Sequence, residues 1–408
     1  MTDAIGNSSP IIVLPLYIGS AAFAGGAFGL DEALITGIVI SAFGFVNVVG
    51  QPFAGRLSDR TGRRRAFILL GLGLLAGANL AYSPVGSYTG LLAVRLLQGL
   101  GVALTIPSTI ASVNDVATQA TRGGNMGVFN TFRLLGYGIG PILAGAVVHS
   151  GPYALGGWEV TGINAALYTA GIAVAISFLL VVVFIDDPEG YDTDAADDLD
   201  LAILGHEEES LLDPIFTLGL ASLFMASGIA LIAPLETQIN EHPDQTAALY
   251  GIEFAAFTLQ VLLQTPIGAA SDRRGRKRFI VWGLALLAPT TLAQGFVVEP
   301  WQMLLVRALQ RVAGAMVFAP AFALAGDLTK RSQSGTTLSV LTVAFSLGAA
   351  IGPLIAGYLI GFGYVVPFAF GGGMAALGAL LVYSQVEETV TRDSESRQSN
   401  AGDATPQD

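Results

Sequence analysis

The sequence predicts an all-α integral membrane protein of twelve transmembrane helices, built as two pseudo-repeated halves of six. Three observations carry that prediction. Apolar runs of about 20 residues recur along the chain, the length that spans a bilayer. Only 12% of the 408 residues are charged, against roughly 25% in soluble domains, and the mean hydropathy is +0.63. A charged hairpin between two apolar runs occurs twice, as GRLSDRTGRRR at Gly55–Arg65 and GAASDRRGRKR at Gly268–Arg278.

The first half, 1–185, places its apolar segments near 10–30, 34–54, 66–83, 88–109, 125–148 and 162–185. The second, 213–384, places them near 213–235, 246–267, 279–298, 301–325, 335–359 and 362–384. Such runs must be helices, because lipid offers no partner for a backbone N–H or C=O. An acidic cytoplasmic linker, 186–212, separates the halves, and a polar cytoplasmic tail, 385–408, follows. Of the 31 acids, 12 lie between Asp186 and Asp213, a density that favours a solvated segment. No removable signal peptide is expected, since the first nine residues carry no basic residue.

Orientation follows from the 19 Lys and Arg residues. All but Arg95, Arg133, Arg307 and Arg311 fall in the loops after the second, fourth, eighth and tenth segments or in the tail. The opposite loops carry only acids, such as Asp31, Glu32, Glu159, Glu236 and Glu299. Basic loops stay inside, so both termini are expected in the cytoplasm of a plasma-membrane protein.

Several function classes are excluded. With no cysteine there is no disulfide, thiolate metal site or cysteine nucleophile. His149, His206 and His242 are not spaced for a metal or a catalytic triad, so neither an enzyme nor a cofactor protein is expected. A net charge of −12 argues against a nucleic-acid partner.

The halves match beyond the hairpins. Gln51 pairs with Gln264, Val94–Gln98 with Val306–Gln310, Asp115 with Asp327, and Gly136–Gly145 with Gly348–Gly357. The offset drifts only from 213 to 212. Six-helix halves related in this way are a transporter architecture with the substrate site near the midplane.

On these residues the chain resembles the major facilitator superfamily. The G-x-L-x-D-R-x-G-R-[RK]-[RK] loop is complete at Gly55–Arg65, while the second copy has Ala270 in place of Leu. Arg95, Gln98 and Gly99 resemble the R-x-x-Q-G motif of the fourth helix, and Gly136–Gly145 the G-x-x-x-G-P-x-x-[AG]-G motif of the fifth, associated in the family with antiporters. The resemblance implies a monomeric secondary active transporter working by alternating access, with proton-coupled efflux of a small organic solute as the leading form. Proton- or sodium-coupled uptake is the alternative, and a non-transporting receptor is the third reading.

Candidate site residues fall into three groups. Gly55, Asp59, Arg60, Gly62, Arg63 and Asp115, with Gly268, Asp272, Arg273, Gly275 and Arg276, make a candidate cytoplasmic gate; Gly55 is expected to end its helix and Gly62 to permit the next turn. Gly136, Gly140, Pro141 and Gly145, with Gly348, Gly352, Pro353 and Gly357, suit close helix packing or a hinge. Arg95, Gln98, Arg133, Glu253, Arg307, Gln310 and Arg311 are candidates for the substrate and ion pathway. A buried arginine costs about 2.5–3.5 kcal/mol at a helix centre on insertion scales, so each needs a cavity or a partner. Glu253 is the one carboxylate well inside an apolar run, and the family's pairing of fifth and eighth helices could set Arg133 opposite it. Asn47, Gln51, Asn130, Gln260 and Gln264 are milder polar candidates.

Overall fold

The computed structural model describes residues 1–19, 29–116, 122–155, 157–186, 212–242, 244–328 and 334–388. The first half contains α1 (Thr2–Gly19), α2 (Glu32–Thr61), α3 (Arg64–Ala81), α4 (Tyr88–Val116), α5 (Arg122–Ser150) and α6 (Gly162–Phe184). The second contains α7 (Pro214–Ala230), the short α8 (Glu236–Glu241), α9 (Ala247–Ala255), α10 (Phe257–Arg274), α11 (Arg276–Ala293), α12 (Pro300–Leu328), α13 (Ser334–Leu359) and α14 (Val366–Gln385). Among the described residues, ten helices are long and apolar enough to cross a membrane, with α9 and α10 together forming one span. The more polar α1 and the 17-residue α7 complete the twelve. The expectations for the acidic linker and the tail fall mainly on 187–211 and 389–408, outside the described residues.

The structure departs from the sequence expectations in four places. First, α1 starts eight residues before the apolar run does, because its polar residues find partners in the bundle. The Thr2 and Ser177 hydroxyls meet, and Asn7 Nδ2 donates to the Tyr137 hydroxyl at 2.8 Å. Second, α2 continues through Gly55 to Thr61, so Gly55 does not end its helix. The helix stops at Gly62, which takes φ 64° and donates its N–H to the Ser58 carbonyl; a Cβ is disfavoured there and not at Gly55. Likewise α10 runs through Gly268 to Arg274 and stops at Gly275, φ 103°. Third, the eighth span breaks at Ala256 into α9 and α10. Fourth, a small antiparallel hairpin, β1 (Tyr153–Leu155) against β2 (Trp158–Val160), joins α5 to α6 in the otherwise helical chain.

Capping follows the sequence where polar residues precede apolar runs. Asp213 accepts from the N–H groups of Ile215 and Phe216 at 2.8 and 3.1 Å, with Pro214 at the first helical position. Thr161 accepts from Asn164 N–H at the start of α6.

The two basic hairpins lie at one end of the bundle, called here the hairpin end. At the opposite, far end a single apolar core crosses between halves: Ile12, Val13, Ile35 and Val39 of the first pack with Leu231, Ile232, Tyr250 and Ala356 of the second. Toward the hairpin end the cores are separate. Ile68, Leu72, Leu75, Val102, Val174 and Val181 form one, and Leu218, Leu284, Leu287, Val317 and Leu324 belong to the other. The halves meet mainly through α2 against α13 and α5 against α9. Among the described residues the halves therefore share a core at the far end and have separate cores toward the hairpin end.

Candidate functional site

Each half carries a buried polar cluster built on the same plan. In the first, Arg95 and Gln98 lie one turn apart on α4. Arg95 Nη1 donates to Gln98 Oε1 at 3.0 Å, Tyr82 Oη to the same oxygen at 2.6 Å, and Gln98 Nε2 to Asn79 Oδ1 at 2.9 Å. Arg95 Nε reaches the Val39 carbonyl at 3.4 Å, and its guanidinium sits 4.8 Å from the centre of the Phe43 ring. In the second half, on α12, Arg307 Nη1 donates to Gln310 Oε1 at 2.5 Å and contacts Gln294 Oε1 at 3.5 Å, while Gln310 Nε2 donates to Thr291 Oγ1 at 3.0 Å. Asn79 and Thr291, and Tyr82 and Gln294, occupy positions 212 apart. None of these four is among the sequence candidates, and extending the repeat offset from Arg95 and Arg307 finds them.

Glu253, on α9 just before the break, is fully buried. Gln245 Nε2 donates to its Oε2 at 3.2 Å, and its Oε1 has no hydrogen-bond partner among the described residues. The fifth and eighth spans do meet: a Cβ on Gly251 would come within 2.6 Å of the Pro141 carbonyl oxygen. Even so, Arg133 and Glu253 form no ion pair, and the guanidinium whose field reaches Glu253 is that of Arg307. Arg133 is half-buried on α5, one turn before Tyr137, with its Nε lacking an acceptor among the described residues. Asn47 bonds Gln51 within α2 at 2.9 Å; the side chain of Asn130 lies outside the described residues.

Glu236, read from sequence as a loop acid, is also fully buried, because α8 folds back against α1. Burial pushes its carboxyl well above the usual carboxylate range; the Asn240 amide offsets part of this and the Glu253 charge adds to it. A folded-state pKa above the unfolded one stabilises the fold below the unfolded value, and that stability is lost as pH rises toward the folded pKa. The contribution of Glu236 to the melting temperature should therefore fall as pH rises above about 4.3, the ordinary Glu value. Glu236→Gln should flatten that slope, and an unchanged slope would contradict the assignment.

At the hairpin end each half holds an acid–arginine–acid brace. Arg64, buried at the start of α3, contacts Asp59 Oδ1 at 2.9 Å and forms an ion pair with Asp115. Arg276, the first residue of α11, pairs with Asp272 at 2.8 Å and with Asp327. Arg63, the candidate from the sequence, is the aligned counterpart of Arg276. The first hairpin spends one residue more before its second helix begins, so Arg64 takes the equivalent first helical position. Arg60, Arg63 and Arg273 are exposed. Each brace ties three helix ends within one half. The Asp59 side chain is 62% exposed and that of Asp115 only 22%, so water screens the first pair more. Asp115→Asn should slow transport more than Asp59→Asn at near-normal expression, and full flux in both variants would reduce the hairpin to an anchor.

The glycine–proline motifs have two faces. Gly136 and Gly140 set α5 against Met1, Ala4 and Ile5 of α1 and the residue before it, while Gly348 and Gly352 set α13 against Leu223 and Ser227 of α7. On the other face the Pro141 carbonyl meets Gly251, the Pro353 carbonyl meets Gly37, and Gly357 packs on Ala33 and Leu34. Gly145 is buried. These motifs thus hold each half together and also form the crossings between halves.

Comparison with known proteins agrees with this architecture. A sequence profile described as Major Facilitator Superfamily matches residues 1–203 and 215–406. The quinolone resistance protein NorA of Staphylococcus aureus is 23% identical over 390 residues, 93% of this chain and 92% of that protein. Multidrug resistance protein 2 of Bacillus subtilis is 28% identical over 179 residues, 43% of this chain and 45% of that protein. Among solved structures, a bacterial homologue of the human lysosomal transporter Spinster, inward-facing and occupied, superimposes with a TM-score of 0.73 at 13% identity, covering 94% of this chain and 92% of that one.

Proposed function

The chain belongs to the Major Facilitator Superfamily, and on that premise we propose that this multi-pass membrane transporter exports a small organic solute in exchange for protons. It is a transporter and not an enzyme, and its partners are the lipid bilayer and a small-molecule substrate. The observation that carries the coupling is Glu253. It is a fully buried carboxylate with one unbonded oxygen, at the junction of the halves and beside a break in its own helix. An acid so placed is stable uncharged in one arrangement of the halves and can release its proton when water or a cation reaches it in another. The likeness to NorA and to Multidrug resistance protein 2 supports export as the direction.

In this reading the hairpins and both termini face the cytoplasm of the plasma membrane, and a single chain is the working unit. Joined far ends and independent hairpin ends then correspond to a state open inward. The braces keep the cytoplasmic ends of each half in shape, so that the halves move as rigid bodies when that side closes. Because the chain has no cysteine, single cysteines report sides without background. Thr61→Cys and Arg274→Cys, both at exposed positions, should label only from the cytoplasm, and Trp158→Cys, 79% exposed, only from outside. Labelling of all three from one face would overturn the topology.

The functional test is a solute screen in proteoliposomes with and without an imposed pH gradient. Antiport requires that a gradient drive solute and protons in opposite directions. Movement in the same direction would make the protein a symporter, and gradient-independent flux would make it a facilitator.

A further inference from the structure

The two halves treat their central arginine differently. In the first half Arg95 is satisfied on every side described above: Gln98 Oε1, the Val39 carbonyl and the face of Phe43. In the second half Arg307 keeps the glutamine, yet its Nε and Nη2 are buried with no acceptor among the described residues. A second guanidinium, Arg311, lies on the same face of α12 one turn on, 3% exposed, with its Nε likewise unpartnered. Its counterpart in the first half, 212 positions earlier, is Gly99.

The covering helix differs at the same level. Counting back 213 positions from the second hairpin, Phe43 corresponds to Ala256 and Val39 to Ile252. Where α2 runs unbroken and lays a ring over Arg95, the eighth span breaks at Ala256 and offers a methyl group. Phe257, next to the break, holds its ring 5.6 Å from the Arg311 guanidinium. Gln260, one turn further along α10, rests on Gly314 of α12 with its Oε1 unbonded among the described residues. Glu253 is the only carboxylate on this face of α9 and α10, and among the described residues it forms no ion pair within 4 Å with either arginine. Among the described residues, two buried cations thus carry three donors without an acceptor, opposite a span that offers one acid and a shortened side chain, an arrangement that is costly without a counter-charge.

We infer that the junction of α12 with the α9–α10 break receives an oxyanion of the transported solute, a carboxylate, sulfonate or phosphate monoester, with Arg307 and Arg311 as its donors. Guanidinium groups suit such ligands because their planar N–H forks match two oxygens at once. The Phe257 ring beside the pair favours an aromatic or otherwise apolar body on the solute. The inference rests on the reading of the chain as a carrier of small organic solutes, and it names the chemical class of that solute.

A binding experiment on the purified full chain tests it independently of proton coupling. The probes are naphthalene-2-carboxylate, naphthalene-2-sulfonate, phenyl phosphate and pentanoate, each organic acid paired with its fully methylated, neutral ester (the dimethyl ester for phenyl phosphate), and inorganic phosphate alone. The wild type should bind at least one organic anion and not its ester. Arg311→Gln and Arg307→Gln should each weaken that binding about 10- to 100-fold, the range expected for hydrogen bonds to a charged group. Ala256→Phe keeps both arginines but restores the ring found in the first half; it should abolish anion binding without lowering the melting temperature of the empty protein. Binding by none of the organic anions, equal binding of acid and ester, or binding that survives both Arg311→Gln and Ala256→Phe would overturn the inference. Inorganic phosphate binding as tightly as the best organic anion would overturn the assignment to a solute. Loss of proton-driven flux in a protein that still binds the acid selectively would instead defeat the coupling reading and leave this one standing.

Discussion

Glu253→Gln is expected to abolish solute accumulation driven by a pH gradient while leaving solute binding and downhill exchange in place. One pH unit supports at most about tenfold accumulation per exchanged proton, since 1.4 kcal/mol is a factor of ten. The variant should fall to no accumulation under the same gradient. The physical ground is the pairing of full burial with an Oε1 unbonded among the described residues, on the helix that crosses between the halves. Gln keeps the size and the acceptor for Gln245 but cannot carry a titratable proton, so a purely structural role would be largely preserved. Glu253→Asp, which keeps the acid on a shorter stem, should recover part of the accumulation. Full accumulation by Glu253→Gln would remove Glu253 from the coupling machinery, whatever became of the binding site beside it.

The second large effect is steric. At the α2–α13 crossing, a Cβ on Gly37 would run into the Pro353 carbonyl, and one on Gly357 into the Ala33 carbonyl. Gly37→Val should therefore force the far ends of the two halves apart. Overpacking costs typically about 1–3 kcal/mol, enough to shift an equilibrium between two arrangements by about 5- to 150-fold. Transport should fall by about 5-fold or more, because alternating access needs the joined far end as one of its two states. Gly77→Val on α3 is the control, since nothing lies within 4 Å of the Cβ it would add. The pair of variants is compared by flux and by melting temperature at matched expression. Equal flux in the two would mean that the crossing tolerates the added side chain and is no close contact in the working protein.

Much of the architecture was legible in the sequence for simple reasons. Apolar runs long enough to cross a bilayer must be helical, and their number follows from counting. The pseudo-repeat came from landmarks such as Asp59 with Asp272 and Gly136 with Gly348, and Glu253 stood out because it is an acid in an apolar run. What stayed hidden depends on where a helix starts or ends. Arg64 and Arg63 are indistinguishable as letters, and only the one-residue difference between the hairpins decides which faces Asp59 and Asp115. Glu236 reads as a solvated loop acid until α8 folds inward and buries it.

The sequence by itself determined the class, the helix count, the repeat and the identity of the costly charges, because lipid forbids unpaired backbone and penalises charge wherever the chain goes. Tertiary structure decided which partners those charges have. Arg95 finds the Val39 carbonyl and the Phe43 ring on α2, whereas Arg307 Nε and Nη2 find no acceptor among the described residues, and the eighth span carries Ala256 where α2 carries Phe43. Local pattern fixes what must be buried, whereas the relative placement of helices distant in sequence fixes which acceptors lie within hydrogen-bond distance, and no periodicity encodes that placement.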